Sequence, residues 1–86
     1  MADLVQIRQG YQANWDHFTL RVESGDRQWT LQVQDAGSHQ LLYKAGRANR
    51  AAAQNAGAEF AVFHGAMALQ TSPESVAREL NWRKYW

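Results

Sequence analysis

Phe18, Leu20 and Val22 alternate with His17, Thr19, Arg21 and Glu23. A period of two is that of a half-buried strand, and it predicts a strand over 15–23. Ser24-Gly25-Asp26 follows as a turn, in which glycine can supply any φ > 0 position. Trp29, Leu31 and Val33 then alternate with Gln28, Thr30, Gln32 and Gln34, which predicts a second strand over 28–34. Asp35-Ala36-Gly37-Ser38 forms the next turn, and a further strand over 39–45 turns Leu41, Tyr43 and Ala45 inward, with Leu42 blurring the pattern. Val5 and Ile7 suggest an additional strand over 4–8, with Gly10 to Asn14 as the loop after it. Connections this short predict an antiparallel meander of three or four strands.

The pattern changes near residue 46. Ala48, Ala52, Ala56, Phe60, Phe63 and Met67 recur at spacings of three and four, the apolar stripe of a helix. Alanine is the best helix former, so one long Ala-rich helix is expected from Arg47 to Leu69, its small residues lying tight against the strands. Gly57 is the weak point, at a cost of about 1 kcal/mol relative to Ala in a helix interior. The alternative is a helix that stops near Ala56, with Glu59 to His64 as another strand. Ser72-Pro73-Glu74 is a helix start: a capping hydroxyl, a proline at the first position and an acid at the positive end of the dipole. It opens a short C-terminal helix over 73–81 that carries Val76, Ala77 and Leu80 inward.

The expected fold is therefore α+β, one domain over residues 1–86. A 45% hydrophobic and 20% charged composition is that of an ordinary globular chain. A formal net charge of +1 gives no field that points to nucleic acid or membrane. There is no cysteine, which excludes disulfides, thiolate catalysis and cysteine-based metal sites. No apolar run approaches the roughly 18 residues of a membrane span. Met1-Ala2-Asp3-Leu4 has the features of no signal peptide, so the expectation is cytoplasmic.

Catalytic groups are scarce. His17, His39 and His64 fall in different elements, the carboxylates are scattered near turns and helix ends, and no nucleophile elbow or phosphate loop occurs. Asp35 and His39 could approach across their turn, without a third member. No enzyme activity, metal or cofactor is expected. The order of short strands and an Ala-rich helix is loosely similar in layout to the small domains of bacterial HicB-type antitoxins. That family's Pro-Asp and Gly-containing strand signature is absent, so no residue is carried over.

Three features depart from a plain globular pattern. Arg47 and Arg50 sit in the expected first turn of the long helix, with Gly46 as the cap candidate, where the dipole disfavours cations. With Lys44, they could hold an anion, or pair with an acid such as Glu74, or extend into water. The outward sheet face (Gln6, Arg8, His17, Thr19, Arg21, Thr30, Gln32, Gln34 and Lys44 among others) is polar and poor in acids. It suits a solvated sheet, self-association, or nucleic acid, for which only Trp15 would be a stacking candidate by parity. Finally, Trp82, Tyr85 and Trp86 form an aromatic tail around Arg83 and Lys84, either core or contact surface.

The expected function is a small non-catalytic interaction module, forming a homodimer or docking to a protein partner through Trp15, Trp82, Tyr85 and Trp86. The alternative is nucleic-acid or phosphate binding through Lys44, Arg47, Arg50, Arg8 and Arg21, which requires these five on one contiguous surface. No membrane partner is expected.

Overall fold

The computed structural model of the chain describes residues 9–65 and 71–85. Its elements run β1 (Gly10–Trp15), β2 (Phe18–Ser24), β3 (Trp29–Asp35), β4 (Leu41–Arg47), α1 (Arg50–His64), α2 (Pro73–Glu79) and β5 (Arg83–Lys84). The strands form one antiparallel sheet of order β4-β3-β2-β1-β5. The α+β layout holds, with five strands where three or four were expected. The expected strand over 4–8 lies outside the described residues.

The stretch read as a single strand over 15–23 is in fact a hairpin. Trp15 pairs with Phe18, and Asp16 and His17 make the tight turn between β1 and β2. Asp16 takes φ 55°, a left-handed conformation that a short polar side chain tolerates. Gly10 to Asn14, expected as a loop, is therefore most of β1. Neither turn glycine supplies a positive φ: the two residues that do are Asp16 and His39. In the β3–β4 turn the Asp35 carboxylate instead accepts N–H bonds from Gly37 (3.1 Å) and Ser38 (2.8 Å), which hold its pKa below the ordinary carboxylate value.

The inward rows come out as the alternation requires. Phe18, Leu20 and Val22 of β2 and Leu31 and Val33 of β3 are buried, each burial contributing roughly 1.5–3 kcal/mol. Ala13 of β1 joins them opposite Leu20. On β4, Tyr43 and Ala45 pair with Val33 and Leu31, but a register shift at Val33/Gln34 brings Leu41 opposite Gln34. Leu42 is the extra residue of that irregularity, which is why it blurred the pattern.

α1 is shorter than the expected Arg47–Leu69. Arg47 belongs to β4, and the cap is Asn49, whose Oδ1 accepts the Ala52 N–H at 2.8 Å, not Gly46. The helix runs unbroken through Gly57, so Glu59 to His64 is helix and not strand, and it ends at Gly65. Met67 and Leu69 lie outside the described residues. The buried positions are Ala53, Ala56, Gly57, Ala58, Ala61 and Val62, so the packed face is turned away from the expected stripe and leaves Phe63 71% exposed. Phe60 stays on the sheet side, edge-on to Phe18 with ring centroids 5.3 Å apart. α2 packs beside α1, capped by Ser72, whose hydroxyl accepts the Ser75 N–H, with Pro73 in its first turn as expected; it contributes Val76, and Leu80 just after it, to the core. Among the described residues no polar or charged side chain is buried.

Leu20→Ala is expected to cost about 2–5 kcal/mol in urea unfolding, as a core truncation beneath α1. Phe63→Ala, on the same helix as the residues that cover Leu20, is expected to change stability by less than about 0.5 kcal/mol.

Candidate interaction surfaces

Two surfaces remain once the core is made: the open edge of the sheet at β4, and the sheet face that no helix covers.

β4 is an edge strand seven residues long, and among the described residues no strand pairs with its outer side. Its first three residues are large and exposed: Leu41 at 50%, Leu42 at 42% and Tyr43 at 38%. Tyr43 stacks on Phe60 (5.2 Å between centroids), and Phe60 stacks in turn on His64 (4.3 Å). Tyr43, Phe60, Phe63 and His64 line a shallow depression between β4 and α1, with Arg47 and Glu59 at its rim. The opposite edge is β5, only two residues long.

On the uncovered face, pairing aligns one residue from each strand in a single transverse row. Lys44 is opposite Gln32, Gln32 opposite Arg21, Arg21 opposite Gln12, and Gln12 opposite Arg83. Strands lie about 4.8 Å apart, so Lys44 and Arg21, and likewise Arg21 and Arg83, stand roughly 10 Å apart with one amide between them. The Arg21 Nε–H donates to Gln12 Oε1 at 2.9 Å. In the adjacent row Glu23 is opposite Gly10, and the Tyr85 ring lies over that glycine: a Cβ at position 10 would overlap it. The Tyr85 hydroxyl donates to Glu23 Oε2 at 2.6 Å, and the Arg21 guanidinium carbon stands 5.3 Å from the ring centroid. Burial, then the bond to Glu23 and its charge, push the Tyr85 hydroxyl above its ordinary pKa of 10.0.

Of the five cations of the alternative reading, the four that are described are not brought together. Lys44 and Arg21 are on the uncovered face. Arg47 pairs with Trp29, on the other face, and its Nη1 donates to the Gly46 carbonyl at 2.7 Å. Arg50 lies over the Tyr11 ring (4.7 Å to the centroid) and donates to its hydroxyl at 2.6 Å. Arg8 lies outside the described residues. Of the four aromatics expected at a contact, Trp15 and Trp82 pack against the core and Trp86 lies outside the described residues. The hairpin turn at Asp16 reverses the parity that placed Trp15 outward. Among the described residues of that set, Tyr85, 39% exposed, is the one that presents a ring on the open face. The features sequence reasoning missed are the Lys44–Arg83 row and the Leu42–Phe63 flank. The first depends on strand order and the second on the rotation of α1.

Nothing resembling a catalytic constellation is assembled in the described residues. Asp16 and His17 are neighbours at 3.2 Å on the surface, the Asp35 carboxylate is taken up by its own turn, and no group of three or more His, Asp or Glu could hold a metal ion. No helix among them is long and apolar enough to cross a membrane. No protein-family model matches the chain, and no curated protein or solved structure matches it significantly.

Because folding raises the Tyr85 pKa, its stabilising contact is complete below the ordinary value of 10.0 and declines as pH rises beyond it. The stability difference between the protein and Tyr85→Phe, measured by urea unfolding, is therefore expected to be steady near neutral pH and to shrink above about pH 10.

Proposed function

We propose that the chain is a small non-catalytic interaction module that forms a homodimer by antiparallel pairing of its β4 edges. The observation that carries this reading is the edge itself. Exposed edges are ordinarily shortened, broken with proline or covered, because a row of free backbone groups templates another strand. β4 has seven residues and no proline; it carries Lys44, Arg47 and the bulge at Leu42, features that blunt an edge, yet it leaves Leu41, Leu42 and Tyr43 exposed, with Tyr43 and Phe63 lining one depression. One strand-to-strand contact supplies directional hydrogen bonds, and the apolar flank supplies the area that makes them worth forming. A two-fold pairing centred on Tyr43 sets the two Tyr43 rings side by side on the helix-covered side. It also sets each Lys44 across from Leu42 of the second copy, so that like charges do not oppose.

A second copy is favoured as the partner because this register sets Tyr43 against Tyr43 and Ala45 against Leu41 of the second copy while Lys44 avoids its own counterpart. Lys44 and Arg47 are the charges of β4, both basic, and neither is set opposite its own counterpart in this pairing.

Sedimentation at micromolar concentration is expected to give twice the chain's 9.8 kDa. Phe63→Asp and Leu42→Lys, both at exposed positions, are each expected to weaken association by tenfold or more with unfolding unchanged. A protein that stays at one chain's mass at the highest attainable concentration excludes the proposal.

A further inference from the structure

We infer that the uncovered sheet face binds single-stranded nucleic acid, with Lys44, Arg21 and Arg83 contacting phosphates and Tyr85 offering its ring to an unpaired base. This goes beyond the proposed dimer and does not depend on it, since one chain carries the whole row.

Charge complementarity is the first support. Lys44, Arg21 and Arg83 form no ion pair with any described carboxylate. The carboxylate beside them, Glu23, accepts from the Tyr85 hydroxyl. Exposed cations at this spacing repel each other only weakly in water, but three of them in one row across five strands, against the single carboxylate of Glu23 in the next row, present net positive charge to an anion that runs along them. A nucleic-acid backbone running across the strands is such an anion.

The second support is the chemistry between the cations. Gln32 and Gln12 interleave with them, and because Gln12 Oε1 is occupied by Arg21, its amide N–H groups remain to be donated. Arg21 uses Nε for that bond, leaving its terminal nitrogens for a phosphate. A protein-docking face needs an apolar centre, and this row has none. Tyr85 is the aromatic that single-strand binding calls for: it lies over Gly10 with the Arg21 guanidinium beside it, and a paired base, stacked inside its duplex, could not lay its face on the ring as an unpaired one can.

The test is fluorescence anisotropy of the full chain with a labelled, short, mixed-sequence single-stranded oligonucleotide, titrated at several salt concentrations. Three phosphate contacts predict a log–log salt slope of about −2, from roughly −0.7 each. Lys44→Gln, Arg83→Gln and Arg21→Gln are each expected to flatten the slope by about 0.7 and to weaken binding about five- to tenfold at low salt. Arg78→Gln, on α2, serves as the control of equal charge change and is expected to leave binding within twofold. Tyr85→Leu is expected to weaken oligonucleotide binding several-fold while leaving inorganic polyphosphate binding unchanged. Phe63→Asp, which breaks the proposed dimer, is expected to preserve the salt slope per chain, so the two proposals fail separately. Undetectable binding at low salt overturns the inference, as does an Arg78→Gln effect equal to that of the row. Equal affinity for oligoglutamate with the same dependence on the row would assign the face to an acidic protein instead, and overturns it too.

Discussion

α1 rests on the sheet through a residue that has no side chain. A Cβ at Gly57 would stand 3.2 Å from Leu31 Cδ1 and 3.6 Å from Leu20 Cδ1, with the Trp82 ring 3.8 Å away. The glycine costs about 1 kcal/mol of helix propensity, and in return the helix backbone comes down onto two fully buried leucines. Alanines at 53, 56 and 61 extend that close approach along the helix. With the axis this near the sheet, bulky residues fit only at the margins. Phe60 fits between Phe18 and Tyr43, and Phe63 is left outside. The exposed flank beside β4 is thus a consequence of how tightly the middle of α1 is seated.

The same packing divides the molecule's surfaces. Among the described residues both helices lie on one side of the sheet, so the core side chains of the strands point that way and the opposite side carries mostly amides, hydroxyls and cations, with Glu23, Leu41 and the Tyr85 ring. A chain this size builds one core and no second layer. The C-terminal segment crosses that division: Trp82 packs against the core, Arg83 and Lys84 add a short strand to β1, and Tyr85 turns over Gly10 onto the open face. Pairing of two copies at β4 would join their open faces into one and set the two cationic rows end to end with a two-residue stagger, so the two proposed contacts are structurally compatible.

The strands β2 and β3, the turn between them and the α2 cap were legible because each depends on local pattern alone: period two, a Gly-Asp turn, Ser-Pro-Glu. β1 was not, since Gly10 and Asn14 read as loop residues while Tyr11, Ala13 and Trp15 are the alternation that matters. A two-residue hairpin at Asp16-His17 leaves no glycine to mark it. Trp15 and Phe18 then appeared to belong to one strand. β5 has no signal of its own and exists only through pairing with β1. The phase of α1 was misjudged because a run of alanines is apolar all round. The largest residues, Phe60 and Phe63, were assumed to share the buried face, yet glycine and alanine make the contact. The row from Lys44 to Arg83 requires strand order and register together, which no local pattern contains.

The seating of Gly57 on Leu20 and Leu31 is the claim from which the exposed flank, the shifted helix phase and the division of faces all follow. Nuclear Overhauser contacts from the Gly57 α-protons test it most directly. The account predicts strong cross-peaks to the methyl groups of Leu20 and Leu31, with weaker ones to the Trp82 ring. Contacts from those methyl groups to the Phe63 ring, with none to Gly57, would contradict it.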